Sequence, residues 1–546
     1  MVTVVTLITP FETQFWTIQG IFMLKKALFL AGIALFCAQA RPEAAHSSDI
    51  HTALNKLDTC ICDTMKKTKL PGLAVGVVYQ GRVVYLKGYG VRKLKPGAPV
   101  EPCKVESDAV DPDTVFEIAS VSKPLASTIV ASLVGVGEVS WDDRIQSLDP
   151  DFALSSNSVT EQVTIRDFFS HRSGLPTGAG DVLEDLGYSR PEILRKLRFV
   201  PLAGRFREFY NYSNFGLTEG AIAATLRTGK TWEEVAQERL YSKLGMDSTS
   251  SRFSDYDNNP NKAALHFRGE DGVYHNWFVR EADSEAPAGG VSSNVRDLVK
   301  FLQMQLADGV FNGQQVVDKA ALEETHKPEI CAVPGPVQPG PCPDDRYYGL
   351  GWNVGKDKST HAPMLSHSGA FDLGSATAIY LVPNEQLGIV VLTNGTPIGI
   401  PESVSMSFLD FYHYGAAQYD YLSIFQPIFE EGFREVQNSS PDYSKLKPPS
   451  NPSNPGNLSA YKGTYESKYY DKLEIDVEND HLIMRLPPRS AYYELTHWEG
   501  DTFTYYFASE NTGVARRGVK FLNSGKEVLV ENLALAGNNG IFTRVK

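Results

Sequence analysis

Apolar residues recur in two rhythms along the chain, one helical and one alternating. Residues 50–69 carry apolar positions at helical spacing and stop at Pro71, which predicts a helix. Residues 73–79 (LAVGVVY) and 82–89 (RVVYLKGY) are β-branched runs separated by Gln80-Gly81, which predicts a hairpin. Residues 116–135, FEIASVSKPLASTIVASLVG, pass from a short extended run into an apolar helix. Helical spacing returns over 191–206, 215–226 (FGLTEGAIAATL), 233–244 and the amphipathic 295–305, with short helices and turns across 142–152 and in VTIRDFFSHRSGLP before them. Tyr348-Gly349-Leu350-Gly351-Trp352 then opens a strand, and SATAIYLV (375–382) and 387–393 follow as strands joined at Pro383-Asn384.

Strands near both ends with helices between them predict an α+β domain over 50–436, its first and last strands sharing one antiparallel sheet. The rhythm breaks at 437–458, where Pro, Ser and Asn predict a linker. From 459 to 546, short alternating segments such as KLEIDVEN, HLIMRL, YYELTHW, TFTYYFA, GVKFL and EVLVENL predict a small antiparallel β-barrel.

Composition adjusts this picture in three ways. A chain of 546 residues exceeds one ordinary core, in keeping with a large domain and a smaller one. Its formal net charge of −13, with no basic run, argues against a nucleic-acid partner. Lys25 and Lys26 precede the apolar run 27–36 and the small residues Ala38-Gln39-Ala40, the pattern of an export signal. We expect a mature chain from near Arg41, with residues 1–22 an upstream extension ahead of Met23, and a secreted product without a stable membrane anchor.

Export makes the cysteines disulfide material. Cys331 and Cys342 bracket a Pro/Gly-rich loop and are expected to close it, while Cys103 pairs with either Cys60 or Cys62. Asn394, Asn438 and Asn457 fit the glycosylation sequon, as does Asn211 close to the candidate site. No His-Glu-x-x-His or paired CxxC occurs, so neither a metal nor another cofactor is expected.

The candidate chemistry centres on Ser120 and Lys123, three residues apart and on one face of a helix starting near Ser120. Serine needs a neighbour to take its proton, and a desolvated lysine can do so. Ser-x-x-Lys also occurs at Ser444 and Ser459, but only Ser120 is followed by a long apolar helix. The bland alternatives are a capping serine for Ser120, a core aromatic for Tyr212, an N-cap for Asn214 and an in-sheet strand residue for His367. His171 is read as a structural histidine on a turn.

The order of Ser120-x-x-Lys123, Tyr212-x-Asn214 and His367-x-Gly369, with His171-Arg172-Ser173-Gly174-Leu175, Pro287-Ala288-Gly289-Gly290 and Tyr348-Gly349-Leu350-Gly351-Trp352, resembles the serine β-lactamase and penicillin-binding-protein superfamily. The nearest branch is the class C-like group with D-alanyl-D-alanine carboxypeptidases, D-aminopeptidases and esterases. The resemblance covers about 50–430 and implies an antiparallel sheet flanked by helices plus a helical subdomain. The C-terminal segment is similar to the lipocalin-like barrels of some exported peptidases.

The resemblance implies Ser120 as nucleophile, Lys123 and Tyr212 as proton carriers, Asn214 as a substrate or lysine contact, and the N–H groups of Ser120 and Ala370 as an oxyanion hole. His367 stands where many β-lactamases carry lysine. A partly charged histidine holds an anionic antibiotic less firmly, which turns the expectation toward a peptidase or esterase. The overall expectation is a secreted serine hydrolase cleaving an amide or ester of a small-molecule or peptide substrate through acyl-Ser120. An acyltransferase or a silent binding protein of the same fold are the alternatives. The absence of a Gly-x-Ser-x-Gly elbow argues against an α/β-hydrolase. Loops 177–189 and 333–345 are expected to shape the pocket.

Overall fold

The structure is a computed structural model that describes residues 49–95, 103, 108–333, 341–357, 360–534 and 540–545. The expected export signal lies outside the described residues. Helix α1 (Ile50–Thr68) buries Leu54, Leu57, Ile61 and Met65 along one stripe. The predicted hairpin is β1 (Gly72–Tyr79) and β2 (Arg82–Gly90). Six further strands complete the sheet: β3 (Ile330–Cys331), β4 (Tyr347–Tyr348), β5 (Asn353–Lys356), β6 (Pro363–Phe371), β7 (Ser375–Val382) and β8 (Leu387–Thr393).

The sheet runs β2-β1-β8-β7-β6-β5-β4-β3, antiparallel throughout. β1 and β8 pair from Leu73↔Thr393 to Tyr79↔Leu387, so strands from the two ends of the domain share one antiparallel sheet as expected. β7 and β8 are buried along their whole lengths, which their uninterrupted apolar runs encode. On one face Val75, Val77, Ile389 and Val391 pack with α1 and with Val404 and Phe408. On the other, Ala74, Val78, Val390 and Leu392 join the core that includes Leu298 and Leu302.

Two long helices were absent from the sequence reading, Ile400–Tyr414 and Tyr421–Gln437, as were short ones such as Lys319–Thr325. The first buries Glu402, Ser403, Ser405, Ser407, Asp410 and His413 beside its apolar residues, so no polar face marks its period. The helix expected over 191–206 is shorter, ending as Arg190–Lys196 with a single 3₁₀ turn at Leu197–Phe199.

Both disulfides form: Cys331–Cys342, as expected, and Cys62–Cys103, which leaves Cys60 free and half-buried. Asn438 and Asn457 are exposed sequons. Asn394 corrects the sequence reading: it is buried, and its amide nitrogen donates to the carbonyls of Val91 and Arg92 at 3.2 and 3.0 Å, so the folded chain does not offer it to a glycan. No helix among the described residues is long and apolar enough to cross a membrane.

The C-terminal part is a closed eight-stranded antiparallel barrel, from Gly463–Ser467 to Ile541–Arg544. Tyr465, Phe503, Tyr505, Phe507, Phe521 and Phe542 are buried within its core. Arg517 is buried too, and its guanidinium donates to the carbonyls of Ser440 (2.6 Å), Gln437 (3.1 Å) and Thr512, tying the connecting segment to the barrel. Arg517→Leu strands these carbonyls, and we expect it to lower the barrel's unfolding free energy by roughly 2–4 kcal/mol. Thermal and urea unfolding check this, and an unchanged midpoint contradicts it.

One end of the barrel sits on the N-terminal domain beside the short helix α2 (Asp181–Leu186). The Gly180 N–H donates to Tyr469 Oη at 3.0 Å, Tyr188 Oη donates to the Tyr470 carbonyl at 2.7 Å, and Lys196 pairs with Asp471 at 2.6 Å.

Candidate active site

Ser120 lies in a single 3₁₀ turn, Ala119–Val121, between the two-residue strand Phe116–Glu117 and helix α3 (Ser122–Gly135). The helix therefore begins two residues later than expected. Lys123, in the first turn of that helix, still falls on the same side as Ser120, with its Nζ 2.9 Å from Ser120 Oγ. Ala119 adopts φ 46°, a left-handed conformation that L-residues avoid. Surrounding hydrogen bonds hold it there: Ser122 Oγ donates to the Ala119 carbonyl, Ser375 Oγ to Glu117 and Thr377 Oγ1 to Ile118, at 2.6, 2.6 and 2.7 Å.

Lys123 is fully buried, and its Nζ lies 2.9 Å from Ser120 Oγ, 2.8 Å from Asn214 Oδ1 and 2.8 Å from the Ala288 carbonyl oxygen. Burial pulls its pKa down to about 7, against the opposing pull of Glu285 and Asp181. Burial likewise pushes Glu285 up, with Glu184 adding to the rise and the Arg280 guanidinium at 3.0 Å opposing it. A neutral amine has two N–H donors and one lone pair. Asn214 Oδ1 and the Ala288 carbonyl can only accept, so they take both donors and leave the lone pair facing the Ser120 hydroxyl.

Asn214 opens helix α4 (Asn214–Thr225), whose cap is Ser213, accepting from the Gly216 N–H at 3.0 Å. The N-cap reading of Asn214 is thereby replaced by a lysine contact. Tyr212 places its ring 4.5 Å from Lys123 Nζ, and burial raises its phenol well above 10. Its hydroxyl lies close enough to Ser120 for the serine to lower that pKa somewhat, without a hydrogen bond of normal geometry. Ser120, Lys123, Tyr212 and Asn214, far apart in sequence, thus converge, and Ser120 keeps partial exposure.

His171 stands behind Tyr212, with ring centroids 4.4 Å apart, and its Nδ1 accepts from the Ser213 N–H at 3.2 Å. Burial drives its pKa well below 6.5. This is the structural histidine the sequence suggested, supporting the tyrosine segment through its ring contact with Tyr212 and its bond to the Ser213 N–H.

His367 is buried in β6. Its Nδ1 lies 2.7 Å from the Ser368 carbonyl, which can only accept, so Nδ1 carries the proton and Nε2 accepts from Tyr348 Oη at 2.9 Å. Desolvation, aided by Lys123, lowers its pKa to about 3. The expectation of partial charge near neutrality is corrected: the imidazole is neutral and both nitrogens are occupied.

Gly369 is required by close approach. A Cβ there would stand 2.3 Å from the Ile118 carbonyl and 3.0 Å from the Ser120 nitrogen. β5 pairs with β6 only as far as Asn353↔Ser366, so the β6 edge from His367 to Phe371, with half-buried Ala370, continues past its partner beside the Ser120 turn. Gly369→Ala should push strand and turn apart and lower kcat on a small ester by roughly 10²-fold. Steady-state kinetics check this, and a wild-type kcat contradicts it.

The other two Ser-x-x-Lys tetrads are accidents of sequence. Ser444 and Ser459 lie exposed on turns of the connecting segment, bonded to Asp442 and Asn457. The sequence reading assigned no role to three groups that complete the site: the Ala288 carbonyl, Tyr348 and Glu285. Ala288 and Tyr348 belong to quoted motifs, which was the available signal; Glu285 had none beyond its place before Pro287.

An antiparallel sheet between helical layers, with a partly exposed serine on a buried lysine beside an edge of the strand carrying His367 and Gly369, is the arrangement of the serine β-lactamase and penicillin-binding-protein superfamily. The chain belongs to the beta-lactamase family, whose model matches residues 57–401. A second family, a domain of unknown function designated DUF3471, matches 447–531, the latter half of the linker and most of the barrel.

Among similar proteins is an unguisins hydrolase of Aspergillus campestris, 26% identical over 348 residues, covering 61% of this chain and 60% of the relative. Protein flp of Staphylococcus aureus (strain MW2) is 22% identical over 64% of each chain. Penicillin-binding protein 4 of Amycolatopsis lactamdurans is 27% identical over 53% of this chain and 74% of its own. The chain thus spans about three fifths of the length of the fungal relative. Among solved structures, the octameric penicillin-binding protein homologue from Pyrococcus abyssi shares the fold, with a TM-score of 0.54 and 20% identity over 87% of this chain and 97% of that one.

Proposed function

We propose that the protein is a secreted serine hydrolase that cleaves an amide or ester through an acyl-Ser120 intermediate, with Lys123 as the general base. The observation that carries this reading is the Lys123 amine 2.9 Å from Ser120 Oγ, with its two donors committed elsewhere and a pKa near 7. Ser120 Oγ attacks the substrate carbonyl as its proton passes to Lys123 Nζ. The N–H groups of Ser120 and Ala370 serve the developing oxyanion. The tetrahedral adduct collapses, the leaving group takes a proton, and acyl-Ser120 remains. Water then attacks the ester in the reverse sense, using the same base.

Tyr212 enters as a donor. A phenol whose pKa lies well above 10 keeps its proton at neutral pH, so it is suited to hand a proton toward the leaving group, fed by protonated Lys123. A neutral His367 offers no cation to a substrate carboxylate, and its place is to fix the β6 edge through Tyr348. This favours peptide or ester substrates over anionic antibiotics. The hydrolase and penicillin-binding relatives agree with this class of reaction. The fluorophosphonate test is direct: intact mass should show one adduct on wild type and none on Ser120→Ala. No adduct on wild type, or an equal one on the variant, counts against the reading.

A further inference from the structure

A cavity of about 800 Å³ lies between the catalytic domain and the barrel, lined by residues of both. Its catalytic-domain wall includes Tyr188, Arg280 and Leu373, and its barrel wall Pro488, Arg489 and Ala508. Packed side chains link its wall to the turn that carries the nucleophile. The Arg280 guanidinium sits 5.1 Å over the Phe371 ring, and Phe371 packs on Ala119, the residue before Ser120. A barrel turn is bonded to the same strand's end: Glu510 accepts from the Asp372 and Leu373 N–H groups at 2.6 and 3.2 Å. Asn511, beside it, donates to the Asp181 carbonyl at 3.2 Å.

We propose that this cavity is a subsite for a polar peptide segment of the substrate, and that the barrel is thereby a specificity-determining wall of the active site. The inference rests on the acyl-Ser120 reading and extends it. The volume suits a few residues of chain. A fatty acyl chain fits poorly, because the lining is rich in charge. Most of that charge is committed: Arg280 to Glu184 and Glu285, Arg190 to Glu233, Glu510 to backbone N–H groups. Arg489 is exposed at the mouth and forms no ion pair among the described residues. It lies across Gly187, where φ is 91° and a Cβ would stand 2.2 Å from Arg489 Nε, so the bare glycine seats the guanidinium. A seated guanidinium matches a peptide carboxylate, terminal or side-chain.

The test uses the full chain with two probes: p-nitrophenyl acetate, too small to reach the cavity, and a library of N-acetylated hexapeptides of mixed chirality, followed by mass spectrometry. Ala508→Trp fills the cavity from the barrel side, and Arg489→Ala removes the seated cation. Each should lower the ratio of peptide to ester kcat/KM by at least about tenfold at an unchanged melting temperature, with Arg489→Ala acting most on peptides bearing a carboxylate. An unchanged ratio in Arg489→Ala and in a folded Ala508→Trp overturns the proposal, as does a wild type that hydrolyses the ester and cleaves no peptide. Failure of wild type on the ester, with no acylation of Ser120, sinks the hydrolase reading instead.

Discussion

Replacing Ser120 by alanine is expected to lower kcat on a small ester by roughly 10⁴- to 10⁶-fold while leaving the fold intact. The size follows from the site's construction. Ser120 is the one hydroxyl that shares Lys123 Nζ at 2.9 Å with Asn214 and Ala288, and it keeps partial exposure to the cleft. Tyr212 cannot replace it, since a phenol raised well above 10 is a poor nucleophile at neutral pH. Steady-state hydrolysis with a melting-temperature control is the measurement. A variant retaining a tenth of wild-type activity would mean that another residue, or water alone, does the chemistry.

Lys123→Met should cost roughly 10²- to 10⁴-fold in kcat/KM and remove the acid limb of its pH profile. In wild type, kcat/KM should rise with pH through about 7, because the base is the free amine; at pH 6 only about one tenth of the enzyme carries it and at pH 8 about nine tenths. The same group has a stability signature of definite sign. Burial holds the folded amine down to about 7 while in the unfolded chain it returns to its ordinary 10.5, so between those values the unfolded chain binds the extra proton. Stability therefore rises with pH across that window, and Lys123→Met should flatten the rise. A variant that loses activity but keeps the wild-type pH limb would move the base elsewhere.

How much of this was legible in the chain differs by element, for physical reasons. Leu387–Thr393 and Ser375–Val382 match their apolar runs because both faces of those central strands are covered. The barrel strands were visible as short β-branched and aromatic segments at close spacing, for example His481–Leu486 and Thr502–Ser509. Helix Ile400–Tyr414 was not, since burial on nearly all sides removes the polar stripe that periodicity needs. Ser120, Lys123, Tyr212 and Asn214 were legible as motifs, but which of them holds the proton was not. That depends on tertiary burial and on two carbonyl-type acceptors placed by distant loops. Asn394 shows the converse failure: a local sequon says nothing of whether its amide is already bound inside the fold. Contacts such as Glu510 with Asp372 exist only because the barrel docks, and no local pattern encodes docking.

The most direct measurement is an acid quench of the wild-type enzyme during turnover of an ester, followed by proteolysis and mass spectrometry. The account predicts one acyl group, on the peptide that contains Ser120, formed and lost at rates consistent with turnover. Turnover with the acyl group on a different residue, or with none trapped at any time despite a kinetic burst, would contradict it.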